Sequence, residues 1–277
     1  MSVVVRWTGA NGSLSIVWQD SQYITTLRKA WSASGRQTDN RQLNTDNRNS
    51  MGHGKLERFE ENATFAHVLQ PTFEEVTNGS FSMKGKWNSD FFRRDAPLVL
   101  ELGCGKGEYT TGLAELRPER NYIGVDIKGA RIWRGAKTVQ EQGLSNVGFL
   151  RTHVDHLLKV FGPGEVSEIW LTFSDPQIAK ARKRLTSDLF LARYKEVLVP
   201  GGIINLKTDS PLLYDFTLEQ VRTHNLPLYE KSDDVYGELV PRLPPEEQAV
   251  LNIRTFYESM WLGEGRRIHY CRFGITP

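Results

Sequence analysis

Pro97-Leu-Val-Leu-Glu-Leu-Gly-Cys-Gly-Lys-Gly-Glu-Tyr-Thr110 runs an apolar strand straight into a glycine-rich turn. Nineteen residues after Gly107 a second apolar run, Tyr122-Ile-Gly-Val-Asp126, ends in a carboxylate. A parallel sheet presents such strand ends side by side, so the turn and Asp126 are expected to border one crevice. Glycine lets backbone approach a ligand closely, and a carboxylate accepts both hydroxyl protons of a ribose. The pair reads as a nucleoside-binding corner.

The glycine spacing narrows the ligand. A dinucleotide fingerprint reads Gly-x-Gly-x-x-Gly and lays a pyrophosphate on a helix N-terminus. Here the order is Gly103-x-Gly105-x-Gly107, with Glu101 just before it. A carboxylate there repels pyrophosphate and suits a cation, such as the amino group or sulfonium of S-adenosyl-L-methionine. A nicotinamide oxidoreductase is disfavoured on this spacing.

Outward from this stretch, apolar runs alternate with amphipathic ones. Strands are expected at 97–102, 121–126, 146–151, 167–173, 201–207, 227–232 and 267–273. Helices are expected near 108–117, 129–142, 184–198, 210–224 and 247–262. Such alternation specifies a wound α/β sheet. Seven strands ending in a hairpin match a Rossmann-like methyltransferase sheet, mostly parallel, with helices on both faces and the last strand antiparallel. Trp133 and Leu189 read as core packing.

Composition sets the remaining bounds. At 277 residues with 39% hydrophobic content, no apolar run approaches the roughly 18–20 residues of a membrane span. The first residues lack a signal-peptide pattern, and a cytoplasmic enzyme without membrane contact is expected. Only Cys104 and Cys271 occur, too few for a disulfide framework or a zinc site. Cys104, between two glycines, reads as a small turn residue rather than a catalytic thiol. His53, His67, His156, His224 and His269 show no metal spacing, so no metal is expected.

The chain is expected to divide at 1–50, 51–96 and 97–277. Residues 1–50 carry six basic against three acidic groups, whereas the rest carries 29 basic against 30 acidic. Val3–Val5 and Leu14–Trp18 have strand character. Residues 32–50 are polar, and Thr38-Asp-Asn-Arg41 recurs as Thr45-Asp-Asn-Arg48 with no apolar face. The stretch 1–50 reads as an unstructured extension upstream of a start at Met51, or as a flexible basic arm. Residues 51–96 form an N-terminal segment, and 97–277 the methyltransferase domain.

A second constellation lies at the fourth strand, Glu168-Ile-Trp-Leu-Thr-Phe173, which runs into Ser174-Asp175-Pro176-Gln177. Its end faces the same crevice. Lys180, Arg182, Lys183 and Arg184 follow, a basic run suited to a polynucleotide backbone. With Leu206-Lys-Thr-Asp209 and Thr255-Phe-Tyr-Glu258, in this order, the chain from about Lys55 onward resembles the bacterial tRNA (guanine-N7)-methyltransferases.

The resemblance implies methyl transfer from S-adenosyl-L-methionine to N7 of a guanine in the tRNA variable loop, by a monomer or homodimer. It implies donor contacts from Glu101, Gly103, Gly105, Asp126, His153 and Asp175, with Asp175 also catalytic. It implies guanine or tRNA contacts from Lys180, Asp209, Thr255, Phe256, Tyr257 and Glu258. Two positions depart from the family. His153 stands where the family has Asp, leaving Asp155 as a substitute, and the family's substrate lysine falls on Ala179, which shifts that role to Lys180. Bland readings compete: Asp126 or Asp209 as helix caps, and Glu258 paired with Arg254. The sheet alone hosts many acceptors, so a protein or small-molecule methyltransferase is the alternative, and a non-catalytic RNA-binding module a third reading.

Overall fold

The computed structural model describes residues 3–7, 14–18, 54 and 57–275. Strands β1 (Val3–Trp7) and β2 (Leu14–Trp18) pair antiparallel, with Val3 opposite Trp18. The two strands expected in this region are therefore present. The reading of 19–50 as unstructured lies outside the described residues. His53–Pro277 form a separate compact unit, which carries the features below.

An eight-stranded sheet organises that unit, in the order β3-β6-β5-β4-β7-β8-β10-β9. The strands are β3 (Val68–Leu69), β4 (Leu98–Leu102), β5 (Asn121–Asp126), β6 (Val147–Arg151), β7 (Val166–Thr172), β8 (Leu198–Thr208), β9 (Leu228–Ser232) and β10 (His269–Gly274). Neighbours from β3 to β8 run parallel, and β10 runs antiparallel between β8 and β9. All seven expected strands are found. The eighth, β3, has two residues, Val68 opposite Phe149 and Leu69 opposite Leu150, too few to show a period of two.

The α-helices follow in order: α1 (Phe73–Thr77), α2 (Glu108–Leu116), α3 (Gly129–Gln142), α4 (Leu157–Val160), α5 (Asp188–Val197), α6 (Pro211–Thr223), α7 (Pro245–Leu251) and α8 (Phe256–Gly263). A further helical segment occupies 57–62. Among the described residues no helix is long and apolar enough to cross a membrane. Strand alternation divides the core between the two faces of the sheet. Leu98, Leu100 and Leu102 enter one apolar cluster with Ile123 and Leu206, while Val99 enters the other with Tyr109, Ala136 and Trp170. Both faces are covered, which is why the central strands read as continuous apolar runs.

Local chemistry fixes the helix ends. Gly143 closes α3 in the left-handed region at φ 66°, its N–H donating to the Val139 carbonyl. Ser210 caps α6 by accepting from the Leu213 N–H, with Pro211 in the first turn. The expected helix over 247–262 is two helices. Thr255 starts α8 with a reciprocal capping box: its hydroxyl accepts from the Glu258 N–H, and the Glu258 carboxylate accepts from the Thr255 N–H.

Candidate active site

Strand order reverses between β4 and β7, so the crevice lies at their C-terminal ends. The turn after β4 holds Gly103 at φ 84° and Gly105 at φ 57°, backbone that a side chain would strain. A Cβ on either glycine would meet nothing within 4 Å, so the backbone faces open space. Helix α3 presses on the turn from behind, where a Cβ on Gly135 would lie 2.8 Å from the Lys106 carbonyl. The N–H groups of Gly103 and Cys104 donate to the Val125 carbonyl, tying the turn to β5.

Asp126 completes that tie. Its Oδ2 accepts from the Gly105 N–H at 3.0 Å and its Oδ1 from the Lys128 N–H at 2.7 Å. It thus holds the start of α3 as well as the turn. Each oxygen keeps a lone-pair site, so the carboxylate still has capacity for ribose hydroxyls. Cys104 is buried, and burial drives its thiol well above the usual range, which fits a turn residue and not a nucleophile.

Glu101 is 3% exposed. Its carboxylate accepts from the Thr110 N–H at 2.8 Å, from the Thr110 hydroxyl, and from the Thr172 hydroxyl at 2.5 Å. It therefore links β4, α2 and β7 beneath the crevice. Burial nevertheless pushes its pKa up to about 7, outweighing those hydrogen bonds. A buried carboxyl balanced near neutrality favours a cationic ligand, which would restore its charge. The residues present therefore fit a sulfonium-bearing amino acid.

Two connected compartments open here. The larger, a cleft of about 790 Å³, is lined by Gly103, Asp126, His153, Asp155, Phe173 and Asp175, among others. Its size falls within the usual range of ligand sites, roughly 300–1,000 Å³. The smaller, a pouch of about 80 Å³, reaches Glu101, Gly105, Thr172, Thr255 and Tyr257. Gly103, Arg131 and Phe173 line both.

At the end of β7 the backbone turns sharply, with Phe173 at φ 51° and Gln177 at φ 45°. Such non-glycine conformations concentrate at functional sites. They aim Asp175 into the cleft, exposed, with Oδ1 accepting from the Gln177 N–H at 2.9 Å. Arg184 pins this loop: buried, it donates from Nε to the Pro176 carbonyl at 2.9 Å and stacks 4.5 Å from the Phe216 ring centre. His153 and Asp155 both line the cleft, and Asp155 is ion-paired to Arg193 at 2.9 Å.

Several expected positions have surroundings that the sequence did not indicate. Lys180 is exposed and does not line the cleft, whereas Arg182 and Lys183 do. Arg184 is buried and holds the loop. Leu189, expected in the core, is half-buried and lines the cleft. Asp209 lines neither compartment; it pairs with Arg266 at 3.3 Å, and the cap of α6 is Ser210.

Glu258 has the least expected surroundings. It is 0% exposed and paired with Lys207, also 0% exposed, at 2.7 Å. Its ion-pair partner is Lys207 and not the expected Arg254. Tyr236 donates its hydroxyl to Glu258 at 2.6 Å, and Lys207 also donates to the carbonyls of Leu251 at 2.7 Å and Ile253 at 3.2 Å. Burial lowers the Lys207 pKa to about 8, with the Glu258 charge opposing. The pair fastens the α7–α8 junction to β8, and so sets Thr255 and Tyr257 at the pouch. Phe256, exposed, lies outside the pouch with the Lys106 ammonium 4.0 Å from its ring centre.

A doubly wound sheet with an open glycine turn, a turn-binding Asp126 and a buried Glu101 defines a class I S-adenosylmethionine-dependent methyltransferase. A solved 16S rRNA methyltransferase, KamB, shares the fold with a TM-score of 0.51 and 18% identity, over 70% of this chain and 95% of that one. The model of a family described as "Putative methyltransferase" matches residues 95–271. The tRNA (guanine-N(7)-)-methyltransferase of Bacteroides fragilis is 48% identical over 224 residues, 80% of this chain and 86% of its own. That of Christiangramia forsetii is 49% identical over 223 residues, covering 80% and 97%. The Bacillus subtilis enzyme is 35% identical over 188 residues, covering 67% and 84%. The chain belongs to the tRNA (guanine-N7)-methyltransferase family, as its motifs imply.

Proposed function

We propose that this chain transfers the methyl group of S-adenosyl-L-methionine to N7 of a guanine in the variable loop of tRNA. The supporting observation is Asp175, which projects into the cleft that also holds the open glycine backbone and Asp126. The donor supplies a methyl group made electrophilic by a sulfonium. Glu101 suits the donor's cationic end, Asp126 its ribose, and His153 or Asp155 the adenine.

Guanine N7 has a free lone pair at neutral pH, so the chain needs no general base. Positive charge develops on the base as the bond forms. The chain's task is in-line positioning, with a carboxylate facing the growing charge. Asp175 meets that requirement: one oxygen is oriented by the Gln177 N–H, and no ion pair among the described residues competes for it. Arg182 and Lys183 at the same cleft suit the tRNA backbone.

The test is methyl transfer from labelled donor to an unmodified tRNA transcript, beside one whose variable-loop guanine is replaced. Labelling of the first alone is expected. Equal labelling of both would refute the site of methylation, and labelling of neither would point to another acceptor.

A further inference from the structure

The carboxylates of the crevice each have a partner. Asp126 is turned to the N–H groups of Gly105 and Lys128, Asp155 to Arg193, and Asp175 to the Gln177 N–H. Of the cations, Lys106 stands over the Phe256 ring and Arg193 holds Asp155. Arg131, Arg182 and Lys183 have no such partner, and of these three only Arg131 is half-buried. Arg131 lies on the first turn of α3 and lines both the cleft and the pouch, and its side chain has no hydrogen bond or ion pair among the described residues. Arg134, one turn further along, is matched by Glu141 at 3.6 Å.

An arginine drawn out of bulk water without a counter-ion is costly, and its planar fork suits a carboxylate or phosphate. The position selects between them. Arg131 lies where the pouch joins the cleft, beside the same Gly103 and Gly105 backbone that faces open space. An amino-acid tail laid along that backbone carries two opposite charges on one carbon. Glu101 in the pouch answers the ammonium, and the carboxylate then needs a cation within a few ångströms. Arg182 and Lys183, both exposed, are better placed for RNA phosphates at the mouth.

We propose that Arg131 holds the α-carboxylate of the methyl donor. The proposal rests on the methyl-donor reading of this crevice. It makes Arg131 a donor-binding residue that reads the intact amino-acid tail, and thereby discriminates against decarboxylated or tailless nucleosides.

Calorimetric titration of S-adenosylmethionine and of decarboxylated S-adenosylmethionine tests it, because the second ligand keeps the sulfonium and ammonium and lacks only the carboxylate. Arg131→Gln is expected to weaken binding of the intact donor about 10- to 100-fold, the scale of a charge-assisted hydrogen bond. Affinity for the decarboxylated ligand should be unchanged or improved. Arg131→Lys, which keeps the charge but not the fork, is expected to lose less, and it carries the comparison if Arg131→Gln lowers the melting temperature. Equal losses for both ligands, or no loss for either, would overturn the proposal. So would unchanged donor binding with weakened tRNA binding and a shallower salt dependence, which would make Arg131 a phosphate contact. If the unsubstituted protein binds neither ligand, the methyl-donor reading fails instead.

Discussion

Glu258→Gln separates a structural carboxylate from a substrate-binding one. The substitution keeps the side chain's shape and removes its charge, leaving the fully buried Lys207 ammonium with neutral partners alone, among them the Leu251 and Ile253 carbonyls and the Tyr236 hydroxyl. Breaking a buried ion pair from one side costs about 3–5 kcal/mol. In a domain of this size each kcal/mol lowers the melting temperature by roughly 2–4 °C, so the expected fall is roughly 6–20 °C. The loss has a ceiling, because burial already holds Lys207 at about 8 and the unpaired amine can shed its proton. The variant's Lys207 pKa then lies below the wild-type value. Between those two values the folded variant has released a proton that the wild type still holds. The deficit should therefore narrow as pH rises toward about 8. Replacing both partners with apolar residues, as in Lys207→Met with Glu258→Leu, should recover much of the loss. Thermal denaturation at several pH values, alongside tRNA methylation, reads these effects. An unchanged melting temperature with abolished methylation would refute the reasoning and return Glu258 to the guanine.

Asp175→Asn should lower turnover by about 10- to 100-fold while donor affinity changes little, on the scale of one charged hydrogen bond; undiminished turnover would remove Asp175 from the chemistry. Glu101, raised to about 7, is protonated more in the folded than in the unfolded chain between the usual carboxylate range and neutrality. Donor-free stability should therefore fall as pH rises through that window, and cationic donor binding near pH 6 should release a proton from Glu101. Calorimetry in buffers of different ionisation enthalpy measures that release, and its persistence in Glu101→Gln would contradict the assignment. Arg182→Ala with Lys183→Ala should weaken tRNA binding and flatten its logarithmic salt dependence by roughly 0.7–0.9 for each phosphate no longer neutralised. An unchanged slope would make both residues bystanders.

The parts that were legible in the sequence share a cause: each depends on a local pattern. The central strands are buried on both faces, so Leu98–Leu102 and Asn121–Asp126 stand out as near-continuous apolar runs ending in functional residues. The crevice follows from where such runs end. The parts that were not legible depend on partners distant in the chain. Lys207 lies 51 residues before Glu258, and neither announces the other. A signal was nevertheless present, since a lysine inside Ile203-Ile-Asn-Leu-Lys207 needs a buried counter-charge if the strand is central. Thr255-x-x-Glu258 is likewise the pattern of a capping box before an apolar run, which reads as a helix start before it reads as a substrate contact. Arg131 left no trace, because an unmatched cation is recognised only once its neighbours are known to be matched.

The antiparallel insertion of β10 sets a timetable for synthesis. Strand β9 pairs in the sheet only through β10, and β10 is made later than either strand it separates. Glu258, which neutralises Lys207, also emerges after β8. A nascent chain whose ribosome has completed β8 therefore has the glycine turn, Asp126 and Asp175, yet carries an uncompensated lysine on its last paired strand. It acquires the Thr255–Tyr257 wall of the pouch only after some fifty more residues, or roughly 3–10 s at about 5–20 residues per second. Final closure of the sheet and completion of the pouch thus both wait on residues made after β8.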